Sequence, residues 1–273
     1  MRFRDSTPPC SGVRFVINEP QNMSKLQRRR IENICALLEQ ANQNSCCLRM
    51  LVDDQKLWHV KSQSKQLSFL DSEPSVSLKQ LLEKSTKLPL REKRILAVVL
   101  ASSLLQLCES PWFSKEWSKK DISFFHKSAN QVDFKRPYLS THFQDPQHSD
   151  DPEAMLRIHP NQSILALGIL LLEIQLGKPI ESQRSSEDLI DGERVNVNTD
   201  LTTALRLLED SVDDIYEGYR KAIQACLNCN FVTPHQALDL DNAEFRHAVY
   251  DNIVAPLEQE LYHGFKLTVK DLE

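Results

Sequence analysis

Apolar residues recur three or four positions apart along most of the chain, a pattern that predicts a mainly helical protein. The segment Leu90–Cys108 is apolar on nearly all sides, which predicts a helix buried in the middle of the fold. A second buried helix is predicted over Gln162–Leu176, with Asn161 as its N-cap and Gly177 as its stop. Further helices are predicted over residues 24–40, 77–83, 200–209, 211–228 and 241–262. Pro256 must kink or break the last of them, because proline removes a helical hydrogen bond.

A small β-hairpin interrupts the helical pattern. Two strands are predicted over Cys46–Val52 and Lys56–Lys61, joined by a polar turn. Residues 126–160 and 181–200 are mostly polar and are predicted to be long loops, and loops of this length inside a domain are usually functional. Residues 1–23 are predicted to be an irregular N-terminal segment. The rest, residues 24–273, is expected to form a single domain.

Composition and charge narrow the classes of function. The 273 residues are 41% hydrophobic, enough to build a core, and their net charge is -5. A mildly acidic chain gains little from phosphate backbones, so no nucleic-acid partner is expected. The apolar runs are much shorter than the roughly 20 residues of a membrane-spanning helix, so no span is expected. The charged N-terminus and the odd number of cysteines, seven, favour reduced thiols and an intracellular location, cytoplasmic or nuclear.

The scarcity of glycine excludes phosphate-binding loops. The chain has six glycines, and no two of them lie close enough to build such a loop. A Walker A loop, a dinucleotide fingerprint and a kinase glycine-rich loop each need several glycines within about six residues, because backbone amides must approach phosphate closely. No cofactor is therefore expected.

Two isolated motifs favour structural roles over chemical ones. Cys226 and Cys229 form a CxxC pair, but a zinc site needs four ligands and no second pair exists. Two packed core cysteines are therefore favoured, and no metal site is expected. Glu173 lies inside an apolar helical run, where a carboxylate needs a partner or a water-facing edge. A structural hydrogen bond or ion pair is favoured for Glu173 over a catalytic role.

The order of the elements resembles a protein kinase read from helix C to its end. Ser163–Pro179 is similar to the kinase helix F pattern D-x-x-S-x-G-x-x-L-x-E-x-x-x-G-x-x-P. On that match, Leu90–Cys108 resembles kinase helix E, Cys46–Lys61 resembles strands four and five, and Ser24–Gln40 resembles helix C. The resemblance implies a helical bundle like the C-terminal lobe of a kinase over residues 63–273. Residues 24–62 would then be the remnant of a truncated N-terminal lobe.

Within this class the chain resembles a fungal family known as domain of unknown function 7580. The stretches that carry this resemblance are Ser110–Trp117, Lys120–Phe125, Arg136–Leu139, the helix around Gly168, and Val249–Leu257. Members of that family often stand near fungal self-recognition and cell-death modules. The resemblance therefore implies a role in signalling rather than in metabolism.

The kinase resemblance also implies positions for catalytic residues, and the chain departs from the kinase pattern there. The degenerate slots are Ser114, Lys115 and Glu116 for H-R-D, and Asp121 for the metal-binding asparagine. The D-F-G slot is expected near Tyr138–Phe143, which offers no acid to bind magnesium. Ser163 stands where an aspartate normally braces the catalytic loop. The segment upstream of helix C is too short for the first three strands and the nucleotide-binding lysine, so no catalytic residue is expected.

These departures favour a non-catalytic, pseudokinase-type interaction or regulatory domain with protein partners, and not an enzyme. The long loops would supply its binding surface. Aromatic side chains are the candidate anchors on this surface: Trp112, Trp117, Phe134, Tyr138 and Phe143. The alternative for these aromatics is that they fill the core. The alternative function is a residual nucleotide-binding or phosphotransferase enzyme, with Glu116 as base and Asp121 as metal ligand. A third is a structural fragment whose missing lobe comes from a partner chain.

Overall fold

Helices make up most of the computed structural model, which describes residues 2–5, 28–37, 49–53, 56–60, 74–108, 117–128, 131–141, 154–232 and 238–267. The named α-helices are α1 (Leu78–Glu83), α2 (Leu90–Leu107), α3 (Gln162–Leu176), α4 (Thr199–Asp210), α5 (Glu217–Asn228), α6 (Ala243–Val249) and α7 (Ala255–Phe265). Short 3-10 turns lie at Ala154–Leu156, Ile180–Gln183 and Ser186–Asp188. The mainly helical class predicted from the sequence is confirmed.

Short strands form small sheets beside the helices. The strands are β1 (Arg2–Asp5), β2 (Arg28–Arg30), β3 (Arg49–Asp53), β4 (Lys56–Val60), β5 (Val76–Ser77), β6 (Ile122–Phe124), β7 (His126–Ser128), β8 (Gln131–Val132) and β9 (Tyr138–Thr141). They pair in the orders β1-β9-β6-β5, β2-β4-β3 and β7-β8, antiparallel except for the parallel pair β1 and β9. The predicted hairpin is confirmed as β3 and β4, with Asp53 opposite Lys56.

The helices α2 and α3 lie at the centre of the core. α3 contacts α2, α4 and α5, and α2 also contacts α7. Leu100 and Leu104 of α2 and Leu167 and Leu171 of α3 have no exposed surface. The prediction of two buried central helices is therefore confirmed. Among the described residues, none of the helices combines the length and apolar character that crossing a membrane requires.

Local capping interactions set the ends of the predicted helices. At the start of α1, Gln80 N donates to Ser77 Oγ at 3.2 Å and Ser77 N donates to Gln80 Oε1 at 2.9 Å, which is a capping box. At the start of α3, Ile164 N donates to Asn161 Oδ1 at 3.0 Å. Gly177 ends α3 with a φ of 72°, in the left-handed region that favours glycine. The capping roles predicted for Asn161 and Gly177 are confirmed.

Pro256 interrupts the last predicted helix. A π-helical turn, Tyr250–Val254, separates α6 from α7, and Pro256 lies in the first turn of α7. Proline has no N–H to donate and its ring crowds the preceding turn, so a regular α-helix cannot run through it. Within the wider turn, Asn252 Nδ2 donates to the Ala248 carbonyl at 2.9 Å.

The first predicted helix is wrong over part of its length. Arg28–Arg30 is a strand paired with β4, and the chain is helical only from 34 to 37 within the described part of that segment. Asn33 provides the cap there, since Ala36 N donates to its Oδ1 at 3.0 Å. Backbone pairing with a strand some distance along the chain overrides the helical spacing of apolar residues. The predicted start of that helix lies outside the described residues.

Two other boundaries also differ from the prediction. The segment 126–160 is not a single loop, because it contains β7, β8 and β9. Leu139 of β9 pairs with Ile122 and is 2% exposed, so this polar-looking segment adds to the core. The helix predicted from residue 211 begins at Glu217, and Val212, in the turn before it, is 48% exposed.

The contact between α3 and α5 depends on a glycine. A Cβ placed on Gly168 would lie 2.7 Å from Cys226 Cβ and 3.0 Å from Leu227 Cδ2. Both partners are buried, at 0% and 2% exposed, so neither can move aside without opening the core. The two helices can approach this closely only because residue 168 has no side chain.

We expect Gly168→Ala to destabilise the protein by about 1–3 kcal/mol, the usual cost of overpacking a core. The measurement is the midpoint of urea unfolding. Gly264→Ala on α7 is the matched control, because a Cβ there meets nothing within 4 Å. The control should be neutral or stabilising by up to about 1 kcal/mol. Equal midpoints for wild type and Gly168→Ala would contradict the close packing of α3 on α5.

Candidate functional site

The segment Trp117–Asp121 is held against the core by its own residues. The resemblance to kinases predicts the end of a degenerate catalytic loop here. Trp117 is 2% exposed, and its indole Nε1 donates to the Ser163 carbonyl at 3.2 Å. The Lys119 carbonyl accepts from Lys79 N at 3.1 Å. The sequence-predicted residues Trp112, Ser114, Lys115, Glu116 and Phe143 lie outside the described residues. The described part of the loop is therefore an anchored turn.

The carboxylate of Asp121 closes that turn. Asp121 Oδ2 accepts hydrogen bonds from Ser118 N at 2.8 Å and from Ser118 Oγ at 3.0 Å. The backbone of Asp121 is also engaged, since its N donates to the Ser118 carbonyl at 3.0 Å and its carbonyl accepts from Ser140 N at 2.7 Å. The group predicted as a metal ligand is thus the cap of the turn that leads into β6.

A second acid, Asp133, follows β8 directly and is a site residue that the apolar pattern does not reveal. It is 5% exposed. Lys127 Nζ lies 3.1 Å from its Oδ1, and Arg136 Nε lies 3.8 Å from its Oδ2. Lys135 N also donates to Oδ1 at 3.2 Å. The carboxylate is therefore balanced by two cations of the chain itself. The Asp-Phe pair directly after apolar Val132 is the sequence signal that could have identified it.

Lys119 is a buried cation that two carboxylates share. Its Nζ donates to Glu173 Oε1 at 2.6 Å and to Glu181 Oε2 at 2.7 Å. Glu173 Oε1 also accepts from Ile180 N at 2.7 Å. Lys119 is 6% and Glu173 1% exposed, whereas the Glu181 side chain is 45% exposed. These three side chains, here named the Lys119 cluster, tie the anchored turn to the end of α3. The structural ion pair favoured for Glu173 is confirmed.

Burial and charge shift the pKa values within the Lys119 cluster. Burial raises the pKa of Glu173, and the Lys119 ammonium opposes that shift. Burial alone would lower the pKa of Lys119, but the carboxylates of Glu173 and Glu181 more than offset it, so the pKa of Lys119 is raised. Lys119 therefore stays protonated at neutral pH, which makes it a structural cation and not a general base.

A second buried cation, Arg94, joins four helices. Arg94 of α2 is 1% exposed and its Nε pairs with Glu260 of α7. Its Nη1 donates to Gln175 Oε1 of α3 at 2.8 Å, and its guanidinium lies 4.0 Å from the ring centroid of Tyr219 in α5. Glu260 Oε2 accepts from Tyr219 N at 2.8 Å. These four residues, here named the Arg94 cluster, are a structural network between helices.

The aromatic side chains predicted as interaction anchors lie in or against the core wherever the structure describes them. Trp117 and Tyr138 are 2% and 4% exposed, and Tyr138 packs edge-on against Phe125 with ring centroids 4.6 Å apart. Phe134 is partly buried against the core, with its ring 5.5 Å from that of Phe124. This arrangement is the core-filling alternative, and Trp117 and Tyr138 are not available as exposed anchors.

Exposed apolar side chains lie elsewhere on the two segments that the sequence assigned to loops. Met155, Leu156 and Ile158 are 97%, 65% and 76% exposed. Asn198, at the start of α4, holds their backbone, since its Nδ2 donates to the Leu156 carbonyl at 2.8 Å and its Oδ1 accepts from Ile158 N at 2.9 Å. Val195, three residues before Asn198, is 56% exposed. We name Met155, Leu156 and Ile158 the apolar strip.

The two cysteines of the CxxC pair are buried thiols. Cys226 and Cys229 are 0% and 7% exposed, and burial raises the pKa of Cys229 to about 11 and that of Cys226 well above its usual value. Both thiols therefore stay protonated at neutral pH, which disfavours metal binding and nucleophilic chemistry. Across the described ranges, no three His, Cys, Asp or Glu side chains come together closely enough to hold a metal ion.

A cavity of about 400 Å³ lies between the end of α1 and the residues that follow α3. Its lining is Leu82, Glu83, Ser85, Lys178, Pro179, Ser182 and Gln183. The charged groups on this lining are the partly exposed side chains of one acid, Glu83, and one base, Lys178. Asp121 and Asp133 are not part of it. The cavity therefore does not gather the residues that the sequence singles out for chemistry.

Comparison with known proteins identifies a family. The model of a family whose description is domain of unknown function (DUF7580) matches residues 13–264. No curated protein matches the chain.

We expect Glu173→Gln to destabilise the protein more than Glu181→Gln. The first substitution removes the buried partner of Lys119 and should cost about 1.5–3 kcal/mol, the range for a hydrogen bond to a charged group. The second removes a partner whose side chain is 45% exposed, and should cost less than about 1 kcal/mol. Urea unfolding at neutral pH measures both losses. A larger loss for Glu181→Gln would show that Glu173 is not the principal partner of Lys119.

Proposed function

The chain belongs to the DUF7580 family, and from that premise we propose that it is a non-catalytic, kinase-like interaction or regulatory domain. The order of the described elements supports a kinase-like C-terminal lobe. A long buried helix, α2, is followed by the anchored turn, by the strands β6 to β9, by the buried helix α3 and by the helices α4 to α7. This is the order that the resemblance of Ser163–Pro179 to kinase helix F implies.

The position of Asp133 refines this comparison. A kinase binds magnesium through the aspartate of D-F-G. Asp133 and Phe134, which directly follow the β7–β8 hairpin, match the first two residues of that motif, so they fit this slot better than Tyr138–Phe143, which offers no acid. The latter residues begin in β9, which pairs with β6. On this match, the chain keeps an acid, Asp133, at the D-F-G position. Asp133 can bind magnesium only if other groups of the chain do not already occupy its carboxylate.

The observation that carries the proposal is that both candidate metal ligands are already engaged by the chain. Asp121 Oδ2 accepts two hydrogen bonds from Ser118, and the Asp133 carboxylate faces Lys127 and Arg136. Phosphoryl transfer depends on carboxylates that hold magnesium against the phosphates. A carboxylate beside two cations attracts a third cation weakly, because the positive charges repel one another. These acids are suited to holding the backbone in place.

The way the anchored turn is held also supports a structural role for it. Ser163 stands where a kinase braces the catalytic loop with an aspartate, and it cannot form that ionic brace. Trp117 bonds to the Ser163 carbonyl instead, and Lys119 bonds to Glu173 ten residues further along α3. These contacts fix the turn by burial and by a buried ion pair.

The apolar strip supports the interaction part of the proposal. Met155 and Ile158 are more than three-quarters exposed, although transfer of such side chains out of water is favourable. Neighbouring exposed apolar side chains commonly mark protein–protein interaction sites. The strip lies within residues 126–160, and Val195 lies within residues 181–200, the two segments predicted to supply the binding surface. A protein partner that covers this strip fits the observations better than a small charged ligand.

We expect ATP with magnesium, at millimolar concentration, to leave the melting temperature of the protein unchanged. A ligand at a hundredfold over its Kd would stabilise the protein by about 2.7 kcal/mol and raise the midpoint by roughly 2–4 °C. Asp121→Asn is the matched control, because an asparagine oxygen can still accept from Ser118 while the charge is lost. It should melt like the wild type, with and without nucleotide.

A rise in the midpoint that requires magnesium and is absent in Asp121→Asn would overturn the non-catalytic assignment. That outcome would favour the residual enzyme, with Glu116 as base. Glu116→Gln would then be expected to abolish turnover, whereas for a non-catalytic domain it is silent.

A further inference from the structure

His159 is a buried imidazole at the start of α3. It is 5% exposed and lies two residues before the N-cap Asn161. Its Nε2 is 2.8 Å from the Cys226 carbonyl oxygen of α5, and its Nδ1 is 3.2 Å from Asn161 N, which donates to it. A backbone carbonyl only accepts and a backbone amide only donates. The ring is therefore neutral, with its proton on Nε2.

Protonation of the ring is incompatible with these contacts. In an imidazolium both nitrogens are donors, so Nδ1–H would face the N–H of Asn161. The added charge would also be buried, and burial lowers the pKa of His159. Breaking the contact would disturb Asn161 directly, since its side chain caps α3 and its Nδ2 donates to the Leu238 carbonyl at 2.9 Å.

No acid in direct contact stabilises a charged form of this ring within the described residues. On α5, the titratable groups on this side are Cys226 and Cys229, which stay protonated at neutral pH. On α3, Gln162 carries a neutral side chain, which donates to the His159 backbone carbonyl at 2.9 Å. Arg157, two residues earlier, is a permanent cation. Asn161 contacts the Leu238 carbonyl, and the residue that follows Leu238 is an acid, Asp239.

The imidazole also fixes one end of the apolar strip. Ile158 directly precedes His159, so the bond from the ring to Cys226 holds the end of the strip against α5, and Asn198 holds the backbone of Leu156 and Ile158 at the start of α4. We propose that His159 is a pH-sensitive lock on the apolar strip, which holds the strip while the ring is neutral and releases it when the ring is protonated. The proposal goes beyond the proposed function, because it concerns when the surface is presented.

The sign of the pH dependence follows from the buried neutral ring. The open or unfolded segment has the ordinary histidine pKa of about 6.5, and the closed segment has a lower one. The open form therefore binds protons more tightly. Closure is fully stable above about pH 6.5 and is progressively lost as the pH falls from there through the lowered pKa.

Hydrogen–deuterium exchange of the full chain at about pH 7.5 and about pH 5.5, on either side of the ordinary histidine pKa, tests the lock. After correction for intrinsic exchange, opening of residues 154–162 should increase on acidification. The limit is about tenfold for each unit by which the pKa is lowered. His159→Gln should remove this increase, because a glutamine amide can still donate to the Cys226 carbonyl but does not titrate. His247→Gln is the matched control, since the His247 side chain is 78% exposed, and should keep the wild-type response.

The same pH response in wild type and His159→Gln would overturn the lock. If the glutamine variant does not fold, proton NMR titration of the wild-type imidazole decides the matter. The lock predicts a His159 midpoint below about 6.5 and the same midpoint for the Asn161 amide signal. A midpoint at or above the ordinary histidine value would overturn it.

Discussion

One buried guanidinium determines how the helices of this protein meet. A charge without partners in an apolar interior costs several kcal/mol, so Arg94 cannot occupy the core unless other helices bring groups to it. Glu260, 166 residues further along the chain, supplies the opposite charge, Gln175 accepts a hydrogen bond from Nη1, and the Tyr219 ring lies against the guanidinium, while Nη2 has no hydrogen-bond partner among the described residues. The Arg94 cluster therefore requires α2, α3, α5 and α7 to be present together, and it couples the middle of the chain to its end.

Buried charges also need partners around the anchored turn, and there this requirement bears on function. Lys119 is neutralised by Glu173 and Glu181, Asp133 is balanced by cations, and Asp121 caps a turn. A catalytic site keeps some ionisable groups poised for a substrate or a metal ion, whereas these groups are satisfied by the chain itself. By contrast, the apolar side chains of Met155, Leu156 and Ile158 are exposed to solvent. This contrast between satisfied charges and an exposed apolar strip is the physical basis for proposing an interaction domain.

Elements whose signals are local could be predicted from the sequence. The caps of α1 and α3 rest on residues three apart, and both were predictable. The helix predicted over Arg28–Arg30 was not realised, because its strand partner β4 lies about thirty residues away. The spacing of residues along the sequence does not predict the pairing of Arg94 with Glu260 either, because the two residues are far apart in the chain. The sequence suggests that Trp117 and Tyr138 are aromatic residues in loops, because the short strands and turns that bury them have no clear periodicity of apolar residues. Asp133 could have been identified from the sequence by comparison with the D-F-G motif, because Phe134 follows it.

The most direct test of the central claim, that this chain binds a protein partner and does not catalyse phosphoryl transfer, is quantitative affinity purification of the tagged full chain from its native cells. The double substitution Glu116→Gln/Asp121→Asn is compared with Ile158→Lys, which changes a side chain that is 76% exposed and so leaves the fold intact. The account predicts that the acid variant keeps the proteins that co-purify with wild type and that Ile158→Lys loses them. Retention by Ile158→Lys together with loss by the acid variant would contradict it.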